Sequence, residues 1–251
     1  MKKTLSLLVS FISITVCAQE KIIAERPGES LSPQTVSKKS FQTEIGFRRT
    51  RENEQDEVWQ NPDVLLRYGL VKRLELRVET TLENEKLVSE NEFKNGLKPL
   101  ELGVKLALLE SKNEKFSSAI MGQIGLPKVA SADHQINKAY NRIRLLFENK
   151  LSEKLKLQYN VGSEWDSRDH QQNWMFSFTP EFDISEKWES FIEVFGFAQK
   201  GKAPEDVFDA GFAYFVSKNS KLDVSGGVGL NEESPHYFVA AGFSFRFGGK
   251  K

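Results

Sequence analysis

The chain has 251 residues, and 35 Lys plus Arg balance 35 Asp plus Glu, so its formal charge is zero at pH 7. A balanced chain offers no broad basic surface for a phosphate backbone, which argues against a nucleic-acid partner. The mean hydropathy is −0.45, and beyond the first residues no apolar run approaches about 18 residues, which excludes a bundle of transmembrane helices. The 19 Phe and 17 Gly favour strands.

The first residues have the pattern of an export signal. Lys2 and Lys3 precede an apolar stretch, and Val16-Cys17-Ala18 supplies a small residue for cleavage. We therefore predict a signal peptide over residues 1–18; the alternative is lipid attachment at Cys17. Because Cys17 is the only cysteine, cleavage after Ala18 leaves a mature chain without thiols. Residues 19–39 are polar and carry two prolines without periodicity, and are predicted to be an irregular leader, periplasmic or luminal.

Residues 40–248 alternate with period two. We count about twelve runs of roughly nine to twelve residues, longer than strands of soluble sheets. One face of each run is apolar and uncharged, for example Leu102, Val104 and Leu106, while charges occupy the other face. A run of about ten residues, tilted near 40°, spans roughly the 25 Å apolar band of an outer membrane. The prediction is an all-β fold: a transmembrane antiparallel up-and-down β-barrel of about 12 strands.

The connections between runs alternate in length. Those near residues 71–73, 110–115, 150–153, 185–187 and 217–220 are short, and those near 50–61, 83–97, 127–138, 166–172, 199–206 and 231–236 are longer. This matches a bacterial outer-membrane barrel, with periplasmic turns and extracellular loops. Pro180 falls inside a run, where we expect a bulge or a register shift. The segment Leu97–Leu109 partly fits a helical stripe, but its alternation favours a strand.

The charged face predicts the side chains that line the lumen. They can pair across a narrow lumen and fill it, or line a constriction whose field selects solutes. We expect Val104→Arg to destabilise the barrel by about 2 to 4 kcal/mol and Lys105→Ala much less. The candidates are Glu44, Arg67, Glu75, Arg77, Glu79, Glu101, Lys105, Arg142, Arg144, Glu193, Asp209, Asp223 and Arg246.

Apolar residues share this inner face, and two interpretations remain open for them. They form a path for hydrophobic solutes, or they pack against the leader folded inside the barrel. Twelve strands lie between barrels of about eight filled with side chains and open channels of about sixteen, so any pore should be narrow. The residues are Leu65, Met121, Leu146, Phe191, Phe195, Phe215 and Phe238.

Two stretches carry a resemblance. The segment from Glu25-Arg26-Pro27-Gly28-Glu29 to Val36, with Phe41–Phe47, resembles the start of the outer-membrane β-barrel family labelled "putative meta-pathway phenol-degradation protein", often called simply transporter. The closing strands are similar too. The resemblance implies passage of small, including aromatic, compounds. Gly242, Phe245 and Phe247 also resemble the terminal signal read by the barrel assembly machinery.

Histidines in the predicted loops are weighed as catalytic or metal-binding groups. His134, His170 and His236 each have a serine close in sequence, Ser131, Ser167 and Ser234, but no nucleophile elbow accompanies them. Neither pairwise ligand spacing nor a further cysteine predicts a metal site. We therefore expect no enzyme, no cofactor and no metal.

The leading hypothesis is an integral outer-membrane β-barrel that acts as a narrow channel or facilitator. Outer-membrane lipid, the assembly machinery and a small solute are its expected partners. The alternatives are a non-conducting structural barrel or soluble periplasmic binding barrel, and an outer-membrane lipid hydrolase.

Overall fold

A computed structural model describes residues 21–88, 91–110, 115–165 and 171–248. No helix within these residues has the length and apolar character needed to cross a membrane. The regular secondary structure of the described residues is strand, as the alternation predicts, with one 3₁₀ turn at Ala132–His134.

Thirteen strands follow one another along the described chain. They are β1 Ser40–Arg51, β2 Glu57–Val71, β3 Leu74–Leu87, β4 Glu92–Leu97, β5 Glu101–Glu110, β6 Phe116–Gly125, β7 Tyr140–Lys150, β8 Leu155–Trp165, β9 Gln172–Asp183, β10 Trp188–Gln199, β11 Glu205–Ser217, β12 Ser220–Gly229 and β13 Tyr237–Gly248.

The strands close into an antiparallel up-and-down barrel. Apart from β4, every strand pairs with a strand on each side, and β1 pairs with both β2 and β13, which closes the barrel wall without a free sheet edge. β3 pairs with β5 over residues 74–79 and with β4 over residues 82–87. β4 and β5 therefore lie in line along the same side of β3, and residues 98–100 connect them. The predicted barrel of about twelve strands is confirmed, with β4 as one extra strand.

The two faces of the wall follow sequence parity. On β5, Val104 is 44% exposed on the outside while its neighbour Lys105 is fully buried inside. Outward apolar side chains on other strands, such as Phe176 and Val224, are exposed in the same way. Because strand side chains alternate, one register places an apolar band around the cylinder and a polar set within it.

The two ends of the barrel differ. The short-turn end carries the β2–β3, β5–β6, β7–β8, β9–β10 and β11–β12 connections, and the long-loop end carries the others except the β4–β5 connection, which lies partway along β3. The predicted loop over residues 83–97 is wrong: it is mostly a hairpin of β3 and β4. The bulge expected at Pro180 is also wrong, because Leu157 pairs with Pro180 in an unshifted register. On its other side, where β9 faces β10, Thr179 and Pro180 have no paired residue, because the proline offers no N–H.

The leader enters the barrel and returns. Near its start, the Ile22 amide donates to the Lys218 carbonyl oxygen at 2.8 Å; near its end, the Lys39 amide donates to the Gly69 carbonyl oxygen at 2.7 Å. Lys218 and Gly69 both lie at the short-turn end. The leader between them is therefore a loop inserted into the lumen from that end.

Candidate functional site

The charged side chains predicted to line the lumen are buried or half-buried in the structure. Glu79, Glu101, Arg142 and Arg246 are half-buried. Arg246 lies apart from the rest, since it donates to the Asn219 side chain in the β11–β12 turn at the short-turn end. The buried members are Glu44, Arg67, Glu75, Arg77, Lys105, Arg144, Glu193, Asp209 and Asp223.

Five of these side chains converge on a residue of the leader. Arg67 on β2 contacts Glu44 at 2.9 Å and Glu75 at 2.8 Å, and its Nη2 lies 2.9 Å from Oε1 of Glu25. Arg77 donates to the same Glu25 oxygen at 3.0 Å. We call this group the Glu25 cluster: Glu25, Glu44, Arg67, Glu75, Arg77 and Lys105.

Lys105 completes the Glu25 cluster from β5. Its ammonium group donates to Glu25 and also to the backbone carbonyl oxygens of Ser32, at 2.8 Å, and Gln34, at 3.2 Å. One lysine thus binds two separate parts of the leader. The resulting interaction fixes the leader's fold as well as its position.

The Glu25 cluster is electrically balanced only when the leader is in place. The wall supplies three cations, Arg67, Arg77 and Lys105, but two carboxylates. Glu25 is the third carboxylate. Burial raises its pKa, but the attraction of Arg67, Lys105 and Arg77 outweighs burial and holds the pKa well below its usual range. The carboxylate is therefore charged throughout the neutral range.

Further along the leader, wall side chains bind its backbone. Glu193 accepts hydrogen bonds from the amides of Glu29, at 2.6 Å, and Ser30, at 2.7 Å. The amide of Asn160 both accepts from the Leu31 N–H and donates to the Leu31 carbonyl. These contacts replace the strand partners that an irregular segment lacks. Arg144 adds an ion pair with Glu29 at 2.7 Å.

Arg26 is held in a notch of the wall formed by two glycines. Gly46 on β1 and Gly242 on β13 are directly paired. A Cβ atom at Gly46 would lie 1.9 Å from Arg26 Nη1, and one at Gly242 would lie 2.2 Å from Arg26 Nε. The guanidinium contacts Asp223 at 3.3 Å. Any larger residue at either position would therefore displace Arg26.

The leader does not fill the lumen. A cavity of about 320 Å³ remains beside it, and its wall includes the leader residues Arg26 to Glu29. Glu79, Glu101 and Arg142 line it; Arg142 contacts Glu101 at 3.3 Å and Glu164 at 2.9 Å. The cavity is thus polar and carries charges of both signs.

Arg48 stands out among the cations of this cavity. It lines the cavity, and its guanidinium carbon lies 3.7 Å from the centroid of the Phe238 ring. Among the described residues it has no carboxylate partner within 4.0 Å, unlike Arg67, Arg77 and Arg142. A stacked, unpaired guanidinium is a suitable contact for a solute carboxylate. The alternation places Arg48 inside the barrel but does not show that it lacks a partner.

The apolar residues of the inner face are packed. Met121 and Leu146 are buried with Ala119, and Leu31 of the leader packs against them. Phe195 and Phe238 form a second buried cluster. Packing against the leader is therefore observed for Met121 and Leu146, and packing between residues of the wall for Phe195 and Phe238.

The histidine loops give no catalytic arrangement within the described residues. Ser131 Oγ accepts from the Leu97 amide, and Ser234 Oγ bonds to Asp206 and Asn231; neither contacts its histidine side chain. His236 is exposed. Ser167 and His170 lie outside the described residues.

The closed barrel, its apolar outer band and its charged interior define an outer-membrane β-barrel protein. The family model described as "Putative MetA-pathway of phenol degradation" matches residues 24–247. The chain therefore belongs to that family.

Solved structures share this fold. An outer membrane channel from Pseudomonas putida F1 superposes with a TM-score of 0.69 at 12% identity, covering 88% of this chain and 99% of that one. The KdgM porin gives 0.55 at 11% identity over 82% and 99%, and the NanC porin gives 0.58 at 7% identity over 82% and 98%. At such identities the likeness establishes the fold. No curated protein sequence matches the chain.

Proposed function

We propose that this protein is a narrow outer-membrane channel for small solutes, with the leader as its constriction. The observation that carries the proposal is the cavity of about 320 Å³, lined by charges of both signs, that the leader leaves open inside a closed barrel. A barrel with only a structural role has no need of an open cavity lined by charges. Of the thirteen candidate positions, those of the Glu25 cluster together with Arg144, Glu193 and Asp223 then hold the leader, and Glu79, Glu101 and Arg142 face the path.

The solute class follows from the cavity wall. A purely apolar compound would have to displace water from Arg142, Glu101 and Glu164 without replacing their contacts, which is unfavourable. A small polar or amphipathic solute keeps those groups solvated or bound. The family description points to phenol degradation, and Arg48 on Phe238 suits a ring that carries a carboxylate.

Planar-bilayer conductance tests the proposal. The chain without residues 1–18, which we propose are removed on export, should show small, discrete openings. A variant lacking residues 19–39 should conduct several-fold more if the leader is the constriction. Silence of both proteins would rule out a channel.

The leader itself favours a second candidate, a non-conducting structural barrel. Its loop crosses the lumen and is bonded to the wall at Glu193, Asn160 and the Glu25 cluster. If the leader never moves, the barrel conducts nothing. Conductance only after deletion of residues 19–39 would favour this candidate for the intact chain.

The remaining partners follow from the surface. We propose that outer-membrane lipid covers the apolar band and that the assembly machinery reads Gly242, Phe245 and Phe247 on the last strand. We propose no enzymatic activity. Hydrolysis of a detergent-solubilised phospholipid that is lost in His134→Ala or His236→Ala would contradict this.

A further inference from the structure

The 3₁₀ turn of the β6–β7 loop is seated on the β3–β4 hairpin. The Ser131 amide donates to the Leu97 carbonyl at 2.9 Å, and Ser131 Oγ accepts from the Leu97 amide at 2.8 Å. Asp133 accepts from the Asn95 amide at 3.1 Å. These bonds join a long loop to a hairpin that extends beyond the barrel wall at the long-loop end.

This docking places His134 against two carboxylates. Glu83 and Glu85 are two residues apart on β3, so their side chains share one face. The His134 side chain is 6% exposed; its Nδ1 lies 4.0 Å from Glu85 Oε1, and its Nε2 lies 3.4 Å from the Glu83 carbonyl oxygen. One donor atom from each of the three side chains lies within 4.8 Å of the others.

The distances suit a shared metal ion better than a direct bond. At 4.0 Å, Nδ1 and the Glu85 carboxylate are too far apart for a hydrogen bond, and within the described chain Nδ1 has no other polar partner. Metal–ligand bonds of about 2.0 to 2.2 Å on either side of a zinc ion span such a gap. One imidazole and two carboxylates form a donor set that first-row divalent ions accept.

The neighbouring donors leave room for this ion, and Lys94, the cation beside Glu85, lies 3.9 Å from that carboxylate. Lys98 lies 3.0 Å from one Glu83 oxygen, and Gln60 donates to the other at 2.8 Å. Each carboxylate oxygen keeps a second lone pair. The Lys98 side chain is 41% exposed, so it can turn towards water when a divalent ion arrives.

We propose that Glu83, Glu85 and His134 form a zinc-type divalent cation site at the long-loop end. The bound ion fastens the β6–β7 loop to the β3–β4 hairpin. Sequence spacing gives no sign of this site, because the ligands come from a strand and from a loop that lie far apart in the chain. The inference holds whether or not the barrel conducts.

Calorimetric titration of the full mature chain in detergent with Zn²⁺ tests the site, and Ca²⁺ is titrated in parallel. We expect saturable binding of one Zn²⁺ per chain. His134→Ala and Glu85→Gln should each weaken it by about tenfold or more, since even supporting residues of metal sites contribute factors of this size. His236→Ala and Glu153→Gln, which change exposed residues of the same types, should bind as the wild type does.

Hydrogen exchange gives a second measurement. Zn²⁺ should slow amide exchange over residues 131–134 in the wild type and in His236→Ala, but not in Glu85→Gln. Heat-modifiable gel mobility verifies that each variant is folded. Absence of Zn²⁺ binding to the wild type, equal binding to His134→Ala and Glu85→Gln, or tighter binding of Ca²⁺ than of Zn²⁺ would overturn the proposal.

Discussion

A single leader carboxylate holds together the most buried charges of this barrel. Arg67, Arg77 and Lys105 all contact Oε1 of Glu25, and none of the three is more than 3% exposed. Breaking a buried ion pair by removing one partner typically costs about 3 to 5 kcal/mol, because the other charge is left uncompensated. Here the structure can avoid part of that cost by releasing the leader and admitting water.

Glu25→Gln should therefore loosen the leader rather than unfold the barrel. We expect faster amide exchange over residues 25–36 and unchanged exchange in the strands, measured by mass spectrometry in detergent. Glu153→Gln is the matched control, since the Glu153 side chain is 90% exposed in its pair with Lys150. Equal leader exchange in Glu25→Gln and wild type would show that the Glu25 cluster does not hold the leader.

The glycine notch gives a second test at the scale of one residue. Gly242→Ala should push Arg26 from Asp223 and cost about 1 to 3 kcal/mol, the usual range for overpacking. The matched control is Gly122→Ala, whose added Cβ would meet nothing within 4 Å. Thermal unfolding checks both.

A double-mutant cycle with Arg26→Ala isolates the clash. The Gly242→Ala effect should shrink in the Arg26→Ala background, because the guanidinium is gone while the new Cβ would still lie 2.8 Å from the Ile45 carbonyl oxygen. An undiminished effect would mean that Gly242 acts through the backbone or through the assembly signal.

At the scale of the strand, the alternation of side chains decides whether a substituted residue faces lipid or the lumen. Alternation correctly places Lys105 inside, but the contacts of its side chain do not support the expectation that Lys105→Ala would cost much less than Val104→Arg. Its ammonium group binds Glu25 and two leader carbonyls, so its loss would remove one of the three cations at Glu25 and the lysine donor from both carbonyls. Lys105 is therefore a poor control for an outward substitution.

Val104→Arg and Gln123→Arg on adjacent strands form a better pair. Val104→Arg places a charge in the hydrocarbon band and should cost about 2 to 4 kcal/mol at the midplane. Gln123 lines the cavity and donates to Glu79 at 2.9 Å, so an arginine there has a carboxylate beside it and should cost much less. Urea titration in detergent with heat-modifiable mobility reads both; equal losses would contradict the assigned faces.

For the molecule as a whole, the proposed channel function depends on the leader. Its loop is bonded to the wall inside the lumen and leaves the charged cavity beside it, so permeation would require either a path past Arg26 and Glu29 or movement of the leader. The charge of that path is testable at Arg48, which has no carboxylate partner within the described residues.

Arg48→Gln should shift ion selectivity towards cations. We expect the reversal potential in a KCl gradient to move towards the value of a cation-selective channel, while the single-channel conductance changes less than twofold. Arg246→Gln, at the short-turn end and outside the cavity, is the control. An identical shift in both variants would assign the effect to overall charge instead of to the cavity.

The alternation of residue types along the chain was sufficient to predict the barrel. Alternation of Leu102, Val104 and Leu106 with charged or small neighbours specifies strand, face and register together, because a slip of one residue would expose charges to hydrocarbon. The same alternation could not locate the extended β3–β4 hairpin, where strand continues past the membrane-length run.

The contacts of the leader and the proposed metal site could not be predicted in this way, because they join segments that are distant in the chain. Alternation shows that Arg67, Arg77 and Lys105 face inward, but not that Glu25, from a segment without periodicity, would neutralise them. It likewise could not bring His134 to Glu83 and Glu85. Periodicity shows only whether each side chain faces lipid or the lumen. Which charged groups meet depends on how the leader and the loops fold back against the wall of the closed barrel.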